Sequence, residues 1–480
     1  MFASSRKSLA AGALLFAFGG CTLAPSYQRP DLPVAENLSV AGEQRSASTA
    51  PREAVIDAEL GWRDFFVDAQ LQQLIQAALA NNRDLRESAL TIEAYQAQYR
   101  IQRAALFPSL AGEGYGSKQR TLSGDNYVTA ETYSASMGVT AYELDFFGRV
   151  RSLKDKALEQ YLAMEETYRS NRISLVAEVS IAYLTWLADR ELLAITEDTK
   201  NIEQESFDLI EQRAREGLAT QLDLAQARTS LETAKANLAR YQRQVAQDLN
   251  SLTLLTGAPL PASFTEKKPL GEQMALSAVP PQLSSQVLLQ RPDIVAAEHE
   301  LKGAHAQIGA ARAAFFPAIS LTANAGKISG DLSDLFDSGT GSWLFSPSVS
   351  LPIFTAGRLA AELDVAKISR EITVARYEKA IQTAFREVAD ALVASETYRE
   401  QLVAQKANLV ANQEYYALAR NRYQHGLDSF LTLLDAQRSL YSARQNYLNL
   451  QLAQQVNQVT VYKTLGGGWK ERRQSVSALE

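Results

Sequence analysis

The phrase "RAALFPSL" at 103–110 returns as "RAAFFPAISL" at 312–321, with Arg103 and Arg312 separated by 209 residues. The same offset carries Asp84 onto Asp293, Gln98 onto Gln307 and Pro108 onto Pro317. It also carries Gly148-Arg149 onto Gly357-Arg358 and Gly217-Leu218 onto Gly426-Leu427. Unrelated matches would drift, so a fixed offset over more than a hundred residues marks a tandem duplication of one structural unit. The period exceeds the roughly 20–50 residues of solenoid repeats, so each copy is domain-sized.

Within the first copy, residues 69–107 are Ala, Gln, Leu, Arg and Glu with almost no Gly or Pro, which predicts a helix stopped by Pro108. A polar loop is expected over 118–131. After it Tyr133, Ala135, Met137, Val139 and Ala141 alternate with small polar residues, the period of a strand between two different solvents. Gly148 opens a helical stretch to about Glu216, roughly 100 Å at 1.5 Å per residue. Gly217 turns the chain, and a further helix runs to about Thr256. The second copy predicts helix over 290–316 stopped by Pro317, two strands, a long helix over 358–424, a turn at Gly426 and a last helix to about Leu465. The offset sets Val139 on Ser348, so strand phase slips by one between copies, as a bulge would produce.

Leu224, Ala227, Leu231, Ala234, Leu238, Tyr241 and Val245 are spaced three, four, three, four. The offset predicts Leu433, Ala436, Leu440, Ala443, Tyr447 and Leu450, and all are present. Such a seam packs as a left-handed coiled coil or an ordinary bundle. The strands decide between a plain bundle and something else. In lipid only closed barrels satisfy every strand hydrogen bond, and short alternating runs with polar loops are their signature. Four strands per chain cannot close an open barrel, whereas three chains would supply twelve. The expected fold is therefore α+β: a tandem-duplicated helix-strand-strand-helix unit, with a barrel shared by subunits.

At the N-terminus Arg6 and Lys7 precede an apolar run from Leu9 to Gly20, too short to span a membrane and suited to a secretory signal. Gly19 and Gly20 before Cys21, the single cysteine, resemble a bacterial lipobox, and Cys21 is the expected lipidated residue of the mature chain. The expected organisation is a lipoprotein signal over 1–20 and a lipidated tether over 21–65. The first repeat covers 66–260, with strands near 109–118 and 132–146. A linker over 261–280 leads to the second repeat over 281–465, with strands near 318–328 and 343–355, and a tail over 466–480.

The formal charge is −6, and losing Arg6 and Lys7 with the signal makes it −8; no basic patch compensates, which argues against nucleic acid. Enzyme readings find little support. His299 and His305 are six apart on a helix and point to different faces, while His425 stands alone. "GGGWK" at 466–470 lacks phosphate-loop spacing, "GEGYG" at 112–116 sits in an expected strand, and no nucleophile motif is present. No cofactor or metal is expected.

Several phrases carry a resemblance. They are "CTLAPSYQRPDLP" at 21–33, "YELDFFGRVR" at 142–151, "QRPDIVAAEHELKGAHAQIGAARAAFFPAISL" at 290–321, "LPIFTAGRL" at 351–359 and "RYQHGLDSFLTLLDAQRSLYSAR" at 422–444. Over essentially the whole mature chain the sequence resembles the TolC-like outer-membrane efflux proteins, in particular the lipoprotein branch serving resistance-nodulation-division pumps. The resemblance implies a homotrimer, a twelve-stranded outer-membrane barrel set in outer-membrane lipid and a periplasmic α-helical tunnel. It also implies a passive small-molecule exit, driven by an inner-membrane pump through a periplasmic adaptor. Pro108 and Pro317 would mark the helix-to-strand junctions, and Gly217 and Gly426 the helical tips. The family's aperture gate falls on Leu431 and Asp435, four apart and so on one helix face. Arg213, Asp223, Arg422 and Asp428 flank the tips as candidate ion pairs. The duct of a type I protein-secretion system and a non-channel periplasmic coiled-coil lipoprotein remain the alternatives.

Overall fold

The computed structural model describes residues 22–35, 37–39, 61–260, 264, 270 and 282–467. In chain order the elements, apart from a short helical turn at Trp62–Phe65 and a 3-10 turn at Ser285–Gln290, are β1 (Asn37–Ser39), α1 (Ala69–Asn81), α2 (Arg83–Ala104), β2 (Leu110–Ser123), β3 (Asn126–Leu144), α3 (Arg149–Arg215) and α4 (Gln221–Thr256). There follow β4 (Gln282–Ser284), α5 (Pro292–Ala313), β5 (Ala318–Ser329), β6 (Gly341–Ser350), α6 (Arg358–Gln424) and α7 (Phe430–Thr464). Adding 209 to the bounds of α2 gives those of α5, and adding it to α3 gives α6, residue for residue. Glycines with positive φ repeat at the same interval: Gly148 and Gly357, Gly217 and Gly426, Gly257 and Gly466.

Packing divides the chain into two compact units. The first holds residues up to Asp31, Leu90–Glu165 and Val295–Lys379; the second holds Leu32–Ala89, Glu166–Ile294 and Ala380–Glu480. The second unit has an apolar core. Leu71, Leu74, Ile75 and Ala78 form one stripe of α1 and are fully buried beside Tyr183, Leu184 and Leu187 of α3 and Leu252 of α4. Each leucine or isoleucine among them contributes roughly 1.5–3 kcal/mol by burial. Asp68 caps α1 by accepting from Gln70 N at 2.7 Å, and the Tyr183 hydroxyl donates to its other oxygen at 3.2 Å. The single helix expected over 69–107 is two. Asn82 breaks it, its side-chain oxygen accepting from Leu85 N at 2.9 Å and its amide donating to Leu255 O at 2.9 Å. β1 and β4 pair antiparallel in this unit.

In the first unit the described start of the chain is an extended strap on α5. The Leu23 carbonyl accepts from Arg312 at 3.1 Å, and Ala24 lies where a Cβ on Gly309 would come within 2.8 Å. The Tyr27 hydroxyl donates to Glu298 at 3.0 Å, and Arg29 donates to both oxygens of the same carboxylate at 3.3 and 2.8 Å. A carboxylate buried this deeply is stable only because several donors converge on it.

The same unit holds an antiparallel sheet of order β2-β3-β5-β6. Two expectations change here. The hairpin loop expected over 118–131 is strand almost throughout, with only Gly124 and Asp125 turning the chain. Polar cross-strand pairs extend the ladder: Lys118 with Glu131, and Arg120 with its guanidinium 4.5 Å from the Tyr127 ring centre. β6 ends at Ser350, short of 355, because Pro352 has no N–H to donate and Ala356 and Gly357 turn left-handed before α6. The phase slip has its bulge. Pairing of β3 with β5 skips between Val139 and Tyr142, Ala141 takes φ 51°, and its N–H is held by the Thr322 hydroxyl at 3.1 Å.

β3 and β5 approach closely at two glycines. A Cβ on Gly138 would lie 2.3 Å from Ala323 O, and one on Gly326 would lie 2.2 Å from Ala135 O. Gly326→Val is therefore expected to destabilise the folded sheet by about 1–3 kcal/mol through forced backbone displacement. Its heat-modifiable band on unheated gels should weaken; a band as strong as wild type would refute the close-packing account.

Candidate functional site

Two regions carry the expected chemistry, the helical tips of the second unit and the sheet faces of the first. At the first tip Gly217 has φ 75° and Leu218 N donates to Arg213 O at 2.8 Å. At the second Gly426 has φ 71° and Leu427 N donates to Arg422 O at 2.9 Å. Left-handed glycine after a helix satisfies its last carbonyls while reversing the chain. Polar caps then start the return helices. Thr220 and Asp223 form a capping box on α4, and Ser429 accepts from Thr432 N at 3.4 Å on α7.

The four charges expected to pair at the tips divide. Arg422 and Asp428 form a bidentate pair at 2.7 and 3.0 Å. Arg213 instead donates to the Tyr423 hydroxyl at 3.1 Å, with its guanidinium 5.1 Å from that ring's centre. Asp223 accepts from Thr220 N at 3.0 Å and Thr220 Oγ1 at 2.7 Å. An acid in a helix's first turn meets unpaired N–H groups, and these outcompete a distant cation. Tyr423 was not singled out by sequence; neither was Tyr415, whose hydroxyl donates to Asp435 Oδ2 at 3.1 Å.

Leu431 and Asp435 occupy one exposed stripe of α7, while Phe430, Leu433, Leu434, Ala436, Gln437 and Leu440 are buried on the opposite side. Beneath that buried side Ile210, Ala227 and Tyr423 join Phe430, Leu433 and Leu434 in a compact cluster. Packing thus fixes the helix's rotation and presents Leu431 and Asp435 outward together.

The sheet register assigns the two faces. Val139 opposes Leu110 and Ala323, Leu321 opposes Pro347, and Ile319 opposes Val349, so these share one face with Met137, Trp343 and Phe345. On this face Val349, Met137, Phe345 and Trp343 are all more than half exposed. The other face carries Ser136, Ser320, Thr322, Asn324, Ser346 and Ser348, with Ser320 and Ser348 hydroxyls bonded at 2.8 Å. A sheet with a bare apolar face and a polar face, and with unpaired edges at β2 and β6, suits closure with further strands in lipid.

Pro108 and Pro317 lie between helix and strand, after Phe107 and Phe316, and Phe316 stacks on Phe147 at 4.7 Å. Cys21 lies outside the described residues. His299 bonds Glu159 at 2.6 Å and His305 meets the Tyr27 ring edge-on at 5.6 Å, so each is separately engaged.

A model of the outer membrane efflux protein family matches residues 74–258 and again 283–467, two matches 209 apart at both ends. The antibiotic efflux pump outer membrane protein ArpC and the toluene efflux pump outer membrane protein TtgC, both of Pseudomonas putida, are each 51% identical over 473 residues. These alignments cover 98% of this chain and 97% of theirs. Among solved structures, the open state of the Neisseria gonorrhoeae MtrE outer membrane channel superposes with a TM-score of 0.84 at 41% identity. It covers 94% of this chain and 99% of that one.

Proposed function

The chain belongs to the outer membrane efflux protein family, and from that premise we propose that three copies assemble into one outer-membrane exit duct for small organic molecules. The observation that carries this reading is the four-stranded sheet, apolar and exposed on one face, polar on the other and open at both edges. Three such sheets joined β6 to β2 leave no edge unpaired. The cargo is of the antibiotic and organic-solvent class for which the relatives are named. The duct carries no motor; a periplasmic adaptor meets the helical tips, and an inner-membrane resistance-nodulation-division pump drives export through it. Leu431 and Asp435 form the periplasmic gate, as successive rings around the threefold axis. Deleting the gene should raise susceptibility to toluene and to antibiotics, and purified protein in planar bilayers should conduct as a trimer. A monomer without conductance would overturn the duct.

The anchor belongs to the same reading. The described chain begins one residue after Cys21, with the Leu23 carbonyl on Arg312 at 3.1 Å, three residues before Phe315 at the helix-to-strand junction. That contact supports a reading in which an acylated Cys21 anchors the chain in the inner lipid leaflet. Palmitate labelling is expected in wild type and absent in Cys21→Ser, which should still reach the membrane through its barrel; equal labelling of both would dismiss the anchor.

A further inference from the structure

Glu203 on α3 is a buried carboxyl in the second unit with 4% of its surface exposed. It lies against α7, lining a small cavity with Thr199 and Ile202 of α3, Tyr416 of α6, and Gln437 and Tyr441 of α7. Its Oε2 and the Oε1 of Gln437, itself 7% exposed, are both buried without a hydrogen-bond partner. The cavity measures about 20 Å³, room for roughly one water and too little to hydrate an ionised carboxylate.

The charges around Glu203 do not neutralise it. Arg438 of α7 pulls on it, but that guanidinium donates to Ser230 of α4 at 3.1 Å. Arg444 of α7, also on the cavity wall, is bonded to Asp198 at 3.0 Å. The Tyr441 hydroxyl is shared with Thr196 at 2.9 Å, and Tyr416 completes the titratable groups on the wall. Burial pushes Glu203 up to about 7 despite the Arg438 charge.

Resting on the duct reading, we propose that Glu203 is a proton-operated latch: its protonated carboxyl seals α7 onto α3, and losing that proton favours α7 lifting away to open the gate. The coupling is mechanical. The side of α7 that covers Glu203 carries Gln437 and Tyr441, and the exposed side carries Leu431 and Asp435. A rigid helix cannot expose one side to a new neighbour without moving the other. Lifting α7 wets Glu203, returning it toward the ordinary carboxylate value of 4.5. A raised acid in the packed state favours packing below the ordinary value and loses that contribution as pH rises through the packed one. Opening therefore becomes easier as pH climbs from 4.5 to about 7 and changes little beyond it.

The test is single-channel recording of the purified trimer in planar bilayers at pH ~5, 6, 7 and 8. Wild type is expected to raise its open fraction about tenfold or more across this range, whereas Glu203→Gln, isosteric and never ionised, should lose that rise and keep only the smaller response of the other titrating groups. Asp189 and Asp248, which face each other from α3 and α4 and of which Asp248 is pushed up to about 6, remain in both proteins, so their response is subtracted. Glu203→Gln following the wild-type profile overturns the latch, as does a wild type that conducts independently of pH. A trimer that never conducts overturns the duct as well, which separates the two failures. Should Glu203→Gln fail to assemble, Gln437→Leu, which lines the cavity without titrating, is expected to keep the pH response with a shifted midpoint; loss of the response there also counts against the latch.

Discussion

Phe345→Arg is expected to remove most of the assembled barrel, while Ser346→Arg one residue along leaves it largely intact. Phe345 opposes Ala323 in the middle of β6, on the exposed apolar face; Ser346 opposes Thr322 on the polar face. An arginine facing lipid near the bilayer midplane costs about 2–4 kcal/mol, against about 0–1 near the interface. With three copies in one barrel the penalty is roughly 6–12 kcal/mol, comparable to a domain's whole stability. Position along the strand matters as much as face. Val349 shares the face of Phe345 but is the penultimate residue of β6, so Val349→Arg should cost much less. Trimer yield from outer-membrane extracts, read as the heat-modifiable band, measures the three variants. Ser346→Arg losing more trimer than Phe345→Arg would show that the faces are reversed.

The sequence discloses the helices more fully than the strands, for a physical reason. A helix satisfies its hydrogen bonds locally, so its ends are written in local residues, and the 209-residue offset reproduces the bounds of α2 and α3 in α5 and α6 without error. A strand's partner is elsewhere. Lys118, Arg120 and Glu131 look like loop residues until the ladder pairs them beyond the apolar band. The bulge at Ala141 is visible as a phase slip between copies, but its position depends on Thr322 of another strand. The caps are local and in principle legible: Thr220 with Asp223 is a capping sequence just past a glycine turn. Tyr415 and Asp435 stand eleven before and nine after Gly426, so an antiparallel reading of the tip would have set them opposite each other. Glu203 had no such signal, since its neighbours come from both copies.

Leu431→Ala is expected to raise the resting conductance of the trimer severalfold, and Asp435→Ala to reduce its cation selectivity and its block by divalent or cationic compounds. Both residues lie on the exposed stripe of α7, while the opposite side is locked by Leu433, Leu434, Ala436 and Leu440. In the proposed gate, threefold symmetry would turn each into a ring. Three leucines close an aperture by apolar contact and dewetting, which truncation to alanine removes. Three carboxylates concentrate cations at the mouth, which truncation abolishes without widening it. The bond from Tyr415 to Asp435 Oδ2 at 3.1 Å fixes where each carboxylate points. Tyr415→Phe should then leave the charge in place and broaden the distribution of blocked states, a smaller change than Asp435→Ala. Asp223 is the internal control. The offset aligns it with Thr432, one position beyond Leu431, and its carboxylate is already bonded to Thr220 N and Oγ1. Asp223→Ala should therefore loosen the start of α4 by about 0.5–2 kcal/mol while changing selectivity little. Reversal potentials under a salt gradient, recorded for all four variants, separate these effects. If Asp435→Ala leaves the reversal potential and cation block unchanged, Asp435 is only the partner of Tyr415 within one chain, and the gate must be sought elsewhere along the tips.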